Sequence, residues 1–205
     1  MFTSISISAN AALVDNGNGT VTDTDAGLMW MQDANHIDTT GYDDALYGHD
    51  TWGMLNWYDA MDWADNLVFA GYDDWRLPVT LQPDLSCSEQ DSYWGSYGAG
   101  CTGSEMGHLY YSEGISTLSP SPFYNFHEHA SIYWSSTVVA GTNNDAYDFD
   151  FKSGYTTPYD GMPSHMNVWV VRDIAVAPEP ISSVLFITGG TFLAGRRYIK
   201  KTKKA

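Results

Sequence analysis

Six of the nine Lys and Arg residues fall within the last ten positions (Arg196, Arg197, Lys200, Lys201, Lys203 and Lys204), directly behind an apolar run from Ile181 to Ala194. This asymmetry divides the chain into a tail and a body with very different options. An apolar segment closed by cations has the form of a membrane stop, with the basic residues held on the cytoplasmic side by anionic lipid. A spanning helix needs roughly 20 residues, a length reached here by counting the flanks and letting Arg196 and Lys200 snorkel. A terminal core helix with a solvated tail is the alternative. The body keeps only Arg76, Lys152 and Arg172 against the 25 Asp and Glu of the chain. A surface of that sign repels nucleic acid and anionic membranes, since phosphate binding needs a cationic footprint. Divalent cations, neutral sugars and basic proteins remain as partners, and a charge that serves only solubility is the simplest alternative.

The two ends aside, about 165 of the 205 residues are left, the size of one domain with its own core. Aromatic residues make up 15% of the chain, with eight Trp and fourteen Tyr, so the acidic body has the apolar surface to fold. Ser8-Ala9-Asn10-Ala11-Ala12 has the small-residue pattern of a signal-peptidase site. A basic n-region is missing, and Phe2, Ile5 and Ile7 do not make an apolar h-region. Residues 1–11 are therefore expected to be the remnant of a signal peptide, with an ordinary flexible N-terminus as the alternative. Cys87 and Cys101 suit an oxidising compartment as one disulfide; closing a loop of about 15 residues stabilises by roughly 3 kcal/mol. A catalytic thiol or a metal pair is the sharper alternative, although neither cysteine has a second one at metal-site spacing.

The body predicts an α+β fold with antiparallel strands and one or two helices. Gly19-Thr20-Val21-Thr22 and Leu28-Met29-Trp30-Met31 flank the turn composition Asp23-Thr24-Asp25-Ala26-Gly27, a hairpin signature. Asp15-Asn16-Gly17-Asn18-Gly19 suggests a calcium loop, but an EF-hand counted from Asp15 needs an acidic twelfth residue and meets Ala26, so a plain turn competes. The spacing of Trp57, Ala60, Met61, Ala64, Leu67 and Val68 predicts a helix from Trp57 to about Phe69, capped by Asn56 and ended by Gly71, with Asp59, Asp62, Asp65 and Asn66 facing water. Residues 79–126 are punctuated by Pro and Gly and predict irregular structure. Ile132–Thr137 and Val168–Val171 have strand composition. From Ala146 to Lys152, Tyr147, Phe149 and Phe151 alternate with Asp148, Asp150 and Lys152, which predicts one apolar and one charged face.

Two family resemblances rest on ordered motifs. Pro178-Glu179-Pro180, the apolar segment with Gly189, Gly190 and Gly195, and then Arg196-Arg197 resemble the PEP-CTERM sorting signal of Gram-negative bacteria. That resemblance implies recognition by an exosortase and the export machinery, transient anchoring in the inner membrane through a C-terminal membrane-spanning helix, removal of the tail, and an exopolysaccharide setting. Across the body, Asp15 to Asp23, Thr24 to Trp30, the Ala60–Leu67 helix, Gly71-Tyr72-Asp73-Asp74-Trp75-Arg76-Leu77-Pro78, Gly107-His108-Leu109-Tyr110-Tyr111, Tyr133-Trp134-Ser135-Ser136-Thr137 and Val170-Val171-Arg172 resemble, in that order, the Lcl C-terminal domain family. This family began as a domain of unknown function and includes the terminal domain of a bacterial collagen-like adhesin. The resemblance implies a fold similar to C-type lectins and formylglycine-generating-enzyme-like domains. The expected layout is a signal remnant over 1–11, a C-type-lectin-like domain over 12–175 and a sorting signal over 176–205.

The residues of those blocks suggest structural roles. Arg76 and Arg172 are expected to pair with carboxylates and carbonyls, and Trp30, Trp75, Trp134 and Trp169 to supply core area. After Arg76-Leu77-Pro78 the family runs into a short helix, whereas this chain has Val79-Thr80-Leu81-Gln82-Pro83-Asp84-Leu85, whose proline discourages one. Gln82-Pro83-Asp84 is similar to the tripeptide with which galactose-type C-type lectins bind Ca2+ and sugar hydroxyls. The Trp-Asn-Asp that completes such a site is absent, and Asn144 and Asp145 are the substitutes within Asn143-Asn144-Asp145. Tyr93, Trp94 and Tyr97, inside the cysteine-closed span, are candidate stacking surfaces, with packing beneath that loop as the alternative. His127 and His129, two apart, offer the beginning of a metal site.

The function expected from these features is an exported cell-surface or matrix protein with a lectin-like binding or adhesion domain and no enzymatic role, its partner a polysaccharide or a surface protein. A self-associating matrix protein and a metal-dependent enzyme are the alternatives. No Ser-His-Asp constellation, phosphate loop or HExxH helix is written in the sequence.

Overall fold

The computed structural model describes residues 13–127 and 131–174. The signal-like segment, the tail with Pro178, Glu179, Pro180, Arg196 and Arg197, and His129 lie outside these described residues. Two sheets carry the fold. In the first, β1 (Leu13–Asp15), β2 (Thr20–Asp23), β3 (Leu28–Met31) and β11 (Val171–Asp173) pair antiparallel in the order β1-β2-β3-β11. The expected hairpin is present, with Val21 opposite Trp30 and Asp23 opposite Leu28. The first three strands of the described chain thus share a sheet with its last strand. Arg76 extends the edge, exchanging both backbone hydrogen bonds with Val171.

The second sheet has the order β4-β10-β7-β8-β9, built from Met54–Leu55, Met166–Asn167, Ile132–Val138, Asp145–Asp150 and Tyr155–Asp160. Its pairs are antiparallel except β10 with β7. A small hairpin, β5 (Glu89–Asp91) with β6 (Gly95–Tyr97), projects from the cysteine-closed region. Four helices are described: α1 (His36–Thr40), α2 (Tyr42–Tyr47), α3 (Trp57–Asn66) and α4 (Glu105–Tyr111). The α+β class with mostly antiparallel strands is as expected, while the helix count exceeds the one or two predicted because three of the four are too short to show a periodic stripe. Among the described residues no helix is long and apolar enough to cross a membrane.

Helix α3 begins where the sequence places it, with the Asn56 side chain accepting the Asp59 N–H at 3.0 Å. It ends at Asn66 and not at Phe69, because Leu67 turns extended and Phe69 and Tyr72 exchange backbone hydrogen bonds. Val68 is consequently exposed, and Trp63 joins Ala60 and Ala64 on the buried stripe.

Trp169 is the hub of the core. Its ring lies 4.9 Å from Trp30, 4.8 Å from Phe123, 5.3 Å from Phe126 and 5.5 Å from Phe151, and its indole N–H reaches the Met31 carbonyl at 2.7 Å. Edge-to-face packing of this density fills space with stiff side chains. Trp30, Trp75 and Trp134 are buried as well, with the indoles of Trp75 and Trp134 bonded to the carbonyls of Phe69 and Leu55.

Candidate ligand-binding site

Beyond β3 the chain is strapped to a distant segment. Ala34 N–H bonds the Tyr124 carbonyl, Tyr124 N–H bonds the Gln32 carbonyl, and the Gln32 side chain donates to Pro122. This brings Asn35 and Asn125 together around Asp33, which is buried and accepts from Asn35 N–H, Thr39 Oγ1 and Asn125 Nδ2 at 2.7–3.0 Å. Burial pushes the Asp33 carboxyl up, but His36, Thr39, Asn125 and the Asn35 N–H outweigh it and hold the group below the usual carboxylate range.

Trp52 flanks this junction. It is 58% exposed and has a φ of 57°, a left-handed conformation that a bulky residue rarely takes; Asn125 has a φ of 63°. The surroundings impose the conformation at Trp52: its N–H donates to Asp50 Oδ1 at 2.7 Å, its carbonyl accepts from Asn35 Nδ2 at 3.3 Å, and the next N–H, of Gly53, donates to Asp43 Oδ2 at 2.9 Å. Gly53 itself has a φ of 78°, and a Cβ there would come within 2.0 Å of Asn35 Oδ1, so only glycine fits. Unusual backbone fixed by its surroundings and carrying an exposed ring is a pattern associated with function.

A cavity of about 570 Å³ is lined by Asn35, Asp38, Thr117, Pro120, Asn125, Phe126 and His127, with Trp52 outside this lining. The Trp52 ring lies 6.3 Å from that of His127. Asp38 is the acidic group of the cavity, its carboxyl pushed up by burial and by the charges of Asp43 and Asp50, with His127 opposing. Amides, a hydroxyl and one carboxylate beside aromatic rings suit a hydroxyl-rich ligand that also offers an apolar face.

The cysteine-closed region is organised differently from the expectation. Cys87 and Cys101 are disulfide-bonded. Gln82 clamps Ser96 in both directions, Nε2 to the carbonyl at 2.7 Å and Oε1 from the N–H at 2.8 Å. Asp84, 3% exposed, accepts from Ser86 N–H and Gly103 N–H at 3.0 Å and from the Ser86 hydroxyl. The oxygens of the lectin-like tripeptide are therefore engaged in holding their own loop. Asn144 and Asp145 stand at the start of β8, with Asn144 Oδ1 accepting from Tyr58 at 3.4 Å, and no described hydrogen bond joins them to Gln82 or Asp84. Tyr93 and Trp94 pack edge to face, centroids 4.7 Å apart at 89°, so they present no continuous platform; Tyr93 is exposed, Trp94 and Tyr97 are half-buried, and the Trp94 carbonyl accepts from Tyr147. The Asp15–Gly19 segment is the turn between β1 and β2, with Asp15 accepting from Gly17 N–H and Gln32 Nε2.

Arg76 makes a two-pronged contact with Glu105 at 2.7 and 2.8 Å and reaches Asp173 at 2.8 Å. Arg172 forks onto Asp74 at 2.6 and 2.8 Å, with its guanidinium 3.9 Å from the centroid of the Tyr72 ring. Both are structural clasps: Arg76 ties its segment to α4 and β11, and Arg172 ties β11 to the loop at Asp74.

His127 lines the cavity. Trp52, Asn35, Asp38 and Asn125 were not singled out by the sequence, since their meeting depends on pairing over 90 residues. The one local signal was an aromatic followed by glycine in Asp50-Thr51-Trp52-Gly53. A family model described as the Lcl C-terminal domain matches residues 19–172. No curated protein and no solved structure matches the chain.

Proposed function

Because the chain belongs to the Lcl C-terminal domain family over residues 19–172, we propose that it is a surface or matrix protein whose domain binds a neutral, hydroxyl-rich glycan in the Asn35–Asn125 cavity and against the neighbouring Trp52 ring. The family and the disulfide are compatible with an exported protein. The α+β architecture is compatible with the C-type-lectin-like fold that the family resemblance implies, with residues 12–175 as the binding domain and residues 176–205 as an exosortase-read sorting signal. The domain is a binding module and not an enzyme.

One observation carries this reading: an exposed tryptophan held at positive φ by three hydrogen bonds, its ring 6.3 Å from that of His127 in a cavity with amide, hydroxyl and carboxylate groups. The ring supplies a stacking face for the apolar side of a pyranose, and Asp38, Asn125 and Thr117 supply partners for hydroxyls. Asp38, with Asp43 and Asp50 nearby, disfavours carboxylated or sulfated sugars. Single-site affinity of this kind is modest and gains from display in many copies.

Calorimetric titration of the full-length chain against neutral, uronate-bearing and sulfated polysaccharides tests the reading. Saturable binding confined to neutral glycans is expected. Equal or tighter binding of the anionic ones, or none of any, would refute it.

A further inference from the structure

Three buried polar atoms from two distant parts of the chain converge without hydrogen-bond partners among the described residues: Asp23 Oδ2, His108 Nε2 and Glu113 Oε1. Asp23 ends β2, and its other oxygen accepts the Ala26 N–H at 3.0 Å, which leaves Oδ2 aimed inward. His108 lies in α4, and Glu113 is set just beyond by its N–H on the His108 carbonyl at 3.3 Å. The side chains are 1%, 23% and 5% exposed. His108 Nε2 is 3.4 Å from each carboxylate oxygen, and all three atoms lie within 4.8 Å of one another.

From this arrangement we infer that Asp23, His108 and Glu113 bind a divalent transition-metal ion, with Zn2+ the best match, which ties the β2–β3 turn to the end of α4. Three orphaned buried atoms in one place are rare in a native fold and call for an occupant. Ligands about 2.0–2.1 Å from a tetrahedral ion sit roughly 3.4 Å apart, the spacing seen from the imidazole to each carboxylate. Two carboxylates and a neutral imidazole balance a 2+ charge, and the nitrogen donor favours zinc over calcium, which takes six to eight oxygens. A proton is the rival occupant and fits less well. Shared between two acceptors, the single N–H at Nε2 makes only long three-centre contacts of 3.4 Å, whereas a charge-assisted bond would draw one acceptor to about 2.7–2.9 Å.

The other acidic groupings lack these features. Asp84 lies beside two sulfurs that are bonded to each other. Asp43, grouped with the exposed Asp38 and Asp50, has its Oδ2 filled by Thr51 N–H, Thr51 Oγ1 and Gly53 N–H.

The test titrates Zn2+ into the full-length chain, purified without a histidine tag and stripped by chelator, with binding followed by calorimetry and thermal unfolding. One Zn2+ per chain and a raised unfolding temperature are expected. Loss of outer-shell partners alone costs 10–100-fold in metal affinity, so His108→Ala and Glu113→Gln each weaken binding at least ~10-fold, while His127→Ala leaves it unchanged. Should His108→Ala fail to fold, Glu113→Gln keeps the shape of the site, and nitrogen-15 NMR of the wild-type His108 ring reports coordination directly. Zn2+ that binds wild type no more tightly than Glu113→Gln, or binding lost in His127→Ala, overturns the inference. No readout involves a sugar, so the outcome is independent of the glycan proposal.

Discussion

Asp148 stands on β8 opposite Trp134 on one side and Thr157 on the other, and it is 2% exposed. Burial pushes its carboxyl up to about 7, against a hydrogen bond from Thr157 and with a smaller push from the charge of Asp150. The usual value in an unfolded chain is about 3.9. Between these two values the folded state binds more protons than the unfolded state, so this residue's contribution to stability falls as pH rises from about 4 to 7 and stays lost above it. Asp148→Asn is therefore expected to be more stable than wild type at pH 8, by on the order of a few kcal/mol, with the gap closing toward pH 4; denaturant unfolding of both proteins across this range checks it. An unchanged gap across the range would show that the group is not held neutral. The alternation of Tyr147, Phe149 and Phe151 with Asp148 and Asp150, one apolar and one charged face, was legible in the sequence, but the burial of the charged face at Asp148 was not. Asp148 pairs across the sheet with the buried Trp134, whose indole is anchored on the Leu55 carbonyl 79 residues before it, so its surroundings are set by pairing and not by the strand's own period. Period two reveals a strand, not what lies over it.

At the scale of elements, local chemistry was readable and long-range closure was not. Asn56 announced the start of α3 through its capping side chain, whereas the end of the helix is set by the Phe69–Tyr72 turn, which no helical period encodes. The hairpin of β2 and β3 followed from its turn residues, but its pairing with β11 joins residues about 140 apart. Helix α4, seven residues long, escaped notice, and with it the meeting of His108 and Glu113 with Asp23. The cysteine-closed loop shows the opposite balance. Its covalent bond was legible, while the side-chain clamps made by Gln82 and Asp84 were not. The Cys87–Cys101 bond spans 14 positions, for which the chain-entropy model gives roughly 3 kcal/mol. In a chain of this size that corresponds to a fall of about 6–12 °C in unfolding temperature for the double Ser variant. A thermal scan showing no difference would mean that the hydrogen-bonded clamps alone close the loop.

For the molecule as a whole, charge and exposed aromatic surface decide what can bind. Three cations serve the body, and Arg76 and Arg172 are both paired with carboxylates, so the positive charge needed to attract polyanions is largely consumed internally. Of the exposed aromatic residues, two then compete as the ligand platform: Trp52, near a polar cavity, and Tyr93, crossed with the half-buried Trp94 at the tip of the β5–β6 hairpin. The sequence favoured the second because the cysteines framed it, whereas the geometry favours the first. Replacing Trp52 with glycine removes the ring and suits the positive φ, so loss of binding is not confounded by backbone strain. The most direct measurement is calorimetric titration of one neutral glycan into wild type, Trp52→Gly and Trp94→Ala. The expected result is saturable binding by wild type, retained in Trp94→Ala and weakened about 30-fold or more in Trp52→Gly, the loss of a central aromatic anchor worth about 2 kcal/mol. Undiminished binding by Trp52→Gly, or loss confined to Trp94→Ala, would contradict it.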